Sequence, residues 1–201
     1  MMSKAILVAV SALTCGAAAQ ADVILFSKAG ALGAVNGSMD YTFVSGSLGK
    51  LTISLTNISP APNGGKLTGL AFDIVSADTN ASASLFSKTN ANFVGMTNVS
   101  AAPFGTFDAG AALGGNWLGG GSPNGGIAVG GSATFVFNIT ATDASTRTAA
   151  NFLGSGNDSL ALRFRGFADG GSDKVLVPSA GPLSLAAGAF LFAARRRRAN
   201  A

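Results

Sequence analysis

Between residues 50 and 57 the chain alternates strictly: Leu51, Ile53 and Leu55 are aliphatic, and Thr52, Ser54 and Thr56 carry hydroxyls. A period of two puts the aliphatic row on one face of a β-strand and the hydroxyl row on the other. Such a strand belongs to a sheet with one face in a core and the other in water. The pattern returns twice. Over residues 133–141, Phe135, Phe137 and Ile139 alternate with Thr134, Asn138 and Thr140. Over 160–167, Leu162 and Phe164 alternate with Arg163 and Arg165. Strands that are apolar on one side must bury that side against a second layer.

Weaker strands fill the intervals. Residues 23–26 and 41–44 precede the first strong strand. After it comes a turn cluster, Pro60-Ala61-Pro62-Asn63-Gly64-Gly65, and then 67–75, with Leu70, Phe72 and Ile74 inward and Asp73 outward. Residues 50–57 and 67–75 read as the two arms of a long hairpin. Residues 83–86 and 92–96 read as short strands. Residues 105–131 hold eleven glycines, which predicts a long loop pinned by Phe104, Phe107 and Trp117. Asp143 is placed to cap a short helix over 144–152, stopped by Gly154. Residues 174–177 form the last strand. Seven or eight short strands with glycine-rich turns predict an all-β antiparallel β-sandwich over residues 22–176, a jelly-roll-like arrangement being the alternative.

The two ends differ from this body. In residues 1–21, Lys4 supplies a positive start, 5–13 an apolar stretch, and Ala19-Gln20-Ala21 an A-x-A cleavage site ahead of Asp22. These are the parts of a secretory signal peptide, read by the Sec machinery and signal peptidase. Residues 177–201 begin Val177-Pro178-Ser179-Ala180-Gly181, continue as an uncharged apolar run, and close on Arg195, Arg196, Arg197 and Arg198 before Ala199. From 182 to 194 a helix would be about 20 Å long; counted from 175, about 30 Å, the thickness of a bilayer core. The arginines would stay on the cytoplasmic side. A last strand or core helix of the body, a permanent anchor and an interfacial basic segment are the other readings of these residues.

The order of motif, short apolar helix and arginine cluster resembles the PEP-CTERM sorting signal, with Val177 to Gly181 standing where that family carries Pro-Glu-Pro. The resemblance covers the tail alone. It implies a transient transmembrane helix, recognition by an exosortase-type processing enzyme in the membrane, and release of the body to the cell surface or extracellular matrix.

The formal charge of +4 belongs to these ends. Without Lys4 and the four terminal arginines, eight cations face nine aspartates, which leaves the body no charge basis for binding nucleic acid. Histidine and glutamate are absent, and the single cysteine, Cys15, lies in the leader. Ser-His-Asp and Cys-His catalysis are therefore excluded, as is the usual zinc site; no cofactor is expected. Aspartates alone remain for acid–base work, and no pair has a recognisable setting, so the reading is a non-catalytic protein. Two weak ligand contacts stand out. Trp117 lies in the glycine-rich region, where an exposed indole would stack on extracellular polysaccharide, and a folded-back one would cover the core edge. Asp169 and Asp173 bracket Gly170-Gly171-Ser172, a spacing open to calcium and equally to an ordinary turn.

Overall fold

A computed structural model describes residues 22–119, 122–153 and 160–177. The expected leader and the expected tail from Pro178 onward lie outside the described residues. Among the described residues ten strands are present: β1 (Asp22–Ala29), β2 (Ala34–Ser45), β3 (Leu48–Asn57), β4 (Lys66–Phe72), β5 (Ser82–Lys88), β6 (Phe93–Ser100), β7 (Thr106–Leu113), β8 (Ser132–Thr140), β9 (Leu160–Arg165) and β10 (Ser172–Val177). They make two five-stranded sheets, ordered β1-β2-β3-β8-β5 and β10-β9-β4-β7-β6. Every neighbouring pair is antiparallel. The alternating segments thus build the two-layer all-β sandwich they call for. Among the described residues no helix is long and apolar enough to cross a membrane.

The core lies between the sheets. Leu51, Ile53 and Leu55 of β3 and Phe135, Phe137 and Ile139 of β8 face Leu67, Leu70 and Phe72 of β4 and Leu162 and Phe164 of β9. Phenyl rings cross the midplane edge to face: Phe72 on Phe137 with centroids 4.9 Å apart, Phe93 on Phe135 at 5.0 Å. That geometry adds a specific attraction to the burial of large apolar surfaces.

The structure departs from the sequence reading in four places. β3 and β4 are not a hairpin: β3 pairs with β2 and β8, whereas β4 pairs with β7 and β9 in the other sheet. Both strands carry an apolar row, and facing each other across the core buries both rows. The turn cluster is therefore a crossover. Buried Asn57 holds its start, donating to the carbonyls of Gly65 and Ile127 (both 2.8 Å) and accepting from Ser59 N (3.0 Å) and Oγ (2.7 Å). A buried amide with its donors and acceptor engaged fixes one geometry.

Second, the expected loop over 105–131 contains β7. Ala109, Ala111 and Leu113 face the core, and Gly110 lies so close to β4 that an added Cβ would collide with the Leu70 carbonyl. Glycine serves close strand approach here, not looseness. Third, the expected helix is two single 3-10 turns, Ala144–Thr146 and Ala149–Phe152. The Asp143 carboxylate does not cap the first. It accepts instead from Ser76 Oγ (3.1 Å) and pairs with Arg147 (2.9 Å). Fourth, ten strands replace seven or eight, and Val177 ends β10 opposite Leu160, only 1% exposed.

Candidate functional site

The solvent face of the first sheet is built by the residues that alternate with its core row. Register sets them in lines across the strands: Leu25–Ser38–Ser54–Thr134, Ser27–Asn36–Thr56–Ser132, and Thr42–Lys50–Asn138–Ser84. Neighbouring strands lie about 4.8 Å apart, so side chains in one line touch. Ser54 and Thr134 hydroxyls are 3.1 Å apart, and Thr56 and Ser132 hydroxyls 2.8 Å. The result is a sheet surface rich in hydroxyls and amides, with Leu25, Lys50 and Val136 set among them.

One aromatic ring lies on this surface. Phe137 of β8 pairs with Leu85 and Val136 with Ser87, so a bulge leaves Phe86 as the extra residue of β5. A bulge re-aims the extra side chain. The Phe86 ring is 60% exposed, and the Lys50 ammonium lies 4.4 Å from its centroid. The cation holds one part of the ring while the rest faces water. Beside it, between the sheet edges at β5 and β6, runs a cleft of ≈ 420 Å³ whose walls include Ser84, Leu85, Lys88, Gly95 and Thr97. The Lys88 ammonium donates to the Phe93 carbonyl across it. Sequence reasoning placed Phe86 at the end of a short strand without a face. Only the bulge, which leaves no mark in the residue pattern, turns it outward.

The sequence-derived candidates sit elsewhere. Trp117 is 3% exposed and belongs to a second apolar cluster with Ala71, Val99, Ala101, Phe107 and Ala161 on the outer side of the second sheet. Its ring lies over Gly69, whose added Cβ would be 3.1 Å from it. The indole covers the sheet and offers no stacking face, which corrects its candidacy as a ligand contact.

Asp173 Oδ2 accepts from the amides of Leu32 and Gly33 (both 2.8 Å), tying the β1–β2 turn to β10. Asp169 Oδ1 accepts from Gly171 N (2.8 Å) and its Oδ2 from Asn63 Nδ2 (3.2 Å). The two carboxylates accept from different backbone segments and act as separate staples. Among the described residues no group of three or more metal-ligating side chains gathers.

Other aspartates do the same work. Asp73 Oδ1 accepts from Asp108 N (3.1 Å) while Asp108 Oδ2 accepts from Ile74 N (2.8 Å), and Asp22 Oδ2 accepts from Ala149 N (3.0 Å). Asp78 accepts from Thr142 N (2.8 Å) and Asn80 N (2.9 Å), and these two amides, Thr142 foremost, hold its pKa below the usual carboxylate value. Burial pushes Asp143 upward, but the Ser76 hydroxyl and the Arg147 guanidinium outweigh it and its pKa is lowered. Held in this way, Asp78 and Asp143 favour their ionised forms.

The motif residue Val177 closes β10; Pro178, Ser179, Ala180, Gly181, Arg195, Arg196, Arg197 and Arg198, with Ala19 and Ala21, lie outside the described residues. No protein-family model and no curated protein matches the chain. Among solved structures it is similar to the unique CBM3 of Hungateiclostridium clariflavum, at 11% identity and a TM-score of 0.36, over 81% of this chain and 100% of that one. It is also similar, at 11% identity and a TM-score of 0.33 over 72% of this chain and 92% of the other, to a biomass-sensing module from Rsgi-like proteins of Clostridium thermocellum, described as resembling the family 3 carbohydrate-binding module of the cellulosome. Both likenesses are distant, and the sandwich described above rests on this chain's own strand registers.

Proposed function

We propose that this protein is a non-catalytic exported module that binds polysaccharide on the outer face of its first sheet, after sorting to the cell surface or matrix by its C-terminal signal. One observation carries the binding half: the exposed Phe86 ring lies on a surface rich in hydroxyls and amides. A sugar ring has an apolar C–H face and a polar rim. The aromatic face attracts the first through its quadrupole, and Asn138, Ser84 and Thr42 are placed to bond the second. Lys50 and Asp40 are the charges on this face, one of each sign, which suits a neutral glycan.

Sorting is carried by the paired ends of the sequence: the leader with Ala19 and Ala21, then Val177 to Gly181 and Arg195 to Arg198. Delivery by an exosortase-type enzyme would leave a mature chain lacking both ends. Intact-mass measurement on protein from its native host should find both removed, whereas full-length chain in the inner membrane would mean a permanent anchor. For binding, a neutral-glycan array probed with the parent and with Phe86→Ala should show ligands that the variant loses. An array with no ligand, or one that Phe86→Ala binds unchanged, would remove the binding half.

A further inference from the structure

A sheet edge is a row of unpaired amides and carbonyls, and folded proteins blunt such rows with bulges, breaks or charges. Three of the four edges among the described strands are blunted. β5 carries the bulge at Phe86, β6 is interrupted at Asn98, whose φ is 50°, and β10 has Asp173 and Lys174 within its six residues. β1 differs. It runs eight residues without glycine, proline or bulge, and keeps its charges, Asp22 and Lys28, near its ends. Among the described residues β2 is its only strand partner.

The backbone of β1 is turned to receive a partner. On β2, the Ala34 carbonyl accepts from Ile58 N (2.9 Å) and the Ala34 amide donates to Ser59 Oγ (3.1 Å), both just past β3, on the side away from β1. Ala29, opposite Ala34, therefore points its own backbone groups to the open edge. The alternation of an antiparallel ladder gives the same direction to Ser27, Leu25 and Val23. Val23 is 52% and Leu25 78% exposed, the latter more than any other large apolar residue described. On the inner face Ile24 and Phe26 reach the rim of the core and are only partly buried. An edge strand with apolar side chains on both faces and a free backbone row is a template for another strand.

We infer that β1 pairs antiparallel with β1 of a second copy, about a two-fold axis at Leu25. Charge complementarity chooses this occupant. Asp22 and Lys28 lie equally far to either side of Leu25, so this register sets each carboxylate opposite an ammonium of the other copy. It also sets Leu25 against its counterpart, Val23 against Ser27 and Ile24 against Phe26. An edge lysine bars an apolar strand, whereas here it selects one with an acid at the matching position. Among the described residues Lys28 has no ion-pair partner, and Asp22 uses one oxygen, Oδ2, to accept from Ala149 N. The axis is perpendicular to the joined sheet, so both outer faces lie on one side. The pairing stands independently of the Phe86 site.

The test follows self-association of the chain as its host exports it, by sedimentation equilibrium. The parent should form a dimer with rising concentration. Leu25→Lys, which brings two ammonium groups together at the axis, should raise the dimer Kd about tenfold without lowering the Tm of the monomer. Register is read by cross-linking in a Cys15→Ser background. Leu25→Cys should cross-link to itself on mild oxidation, and Val23→Cys only when mixed with Ser27→Cys, because only opposed residues come within disulfide reach. A parent that stays monomeric, a dimer indifferent to Leu25→Lys, or Val23→Cys joining to itself as readily as Leu25→Cys would each overturn the pairing. A monomer whose Leu25 amide is protected from hydrogen exchange would overturn it too, by giving the edge to another segment of the same chain.

Discussion

The outer faces of the two sheets are finished in opposite ways. On the first, many residues alternating with the core are hydroxyls and amides that meet water directly, with Phe86 and Leu25 laid among them. On the second, the corresponding positions on β4 and β9 include Gly69, Ala71 and Ala161, and above them lie Trp117 and Phe107. Small residues on an outward face make room for a roof; hydroxyls on an outward face need none. The second sheet is therefore roofed where Trp117 and Phe107 lie, and β4 is buried on both sides. The first is a bare layer available for contact.

Removing the roof should have the largest effect. Trp117→Ala deletes a buried indole and is expected to cost about 3–5 kcal/mol in denaturant unfolding, the range for large aromatics in cores. Phe86→Ala on the bare face should change stability by less than about 0.5 kcal/mol, as surface substitutions do. Equal costs for the two would dissolve the contrast.

Next is the staple between the layers. Asp173→Ala strips the acceptor from the amides of Leu32 and Gly33 and should cost about 1–3 kcal/mol, the penalty for leaving buried donors unmet. A far smaller loss would mean that water replaces the carboxylate there.

Smaller again is an acid dependence from Asp78, whose pKa is lowered in the folded state. A depressed folded pKa gives stability that is present above the unfolded value, about 3.9, and is lost as pH falls through the folded value. Asp78→Asn should therefore lower Tm at pH 7 and lose that difference in strong acid. A difference that persists at low pH would assign the effect to geometry rather than charge.

The sandwich was legible in the sequence because period two is a local property: Leu51 to Leu55 and Phe135 to Ile139 state their own faces. Which strands pair was not, because Asn57 redirects the chain across the core through contacts with Gly65 and Ile127 that have no local signature. β7 was hidden because its inward residues are alanines and its glycine answers to the Leu70 carbonyl of another strand. The folded-back reading of Trp117 could be named from sequence, but Gly69 beneath the ring, which shows what the indole covers, has no local signature. Phe86 was missed for a similar reason: only its pairing with β8 shows the bulge.

The most direct measurement is chemical-shift mapping of the full chain with a neutral oligosaccharide drawn from the glycan array. Amides of Lys50, Ser84, Phe86 and Asn138 should shift on titration, while Trp117 and its neighbours stay still, and Phe86→Ala should abolish the response. Shifts centred on Trp117, or a response undiminished in Phe86→Ala, would contradict a binding face on the first sheet.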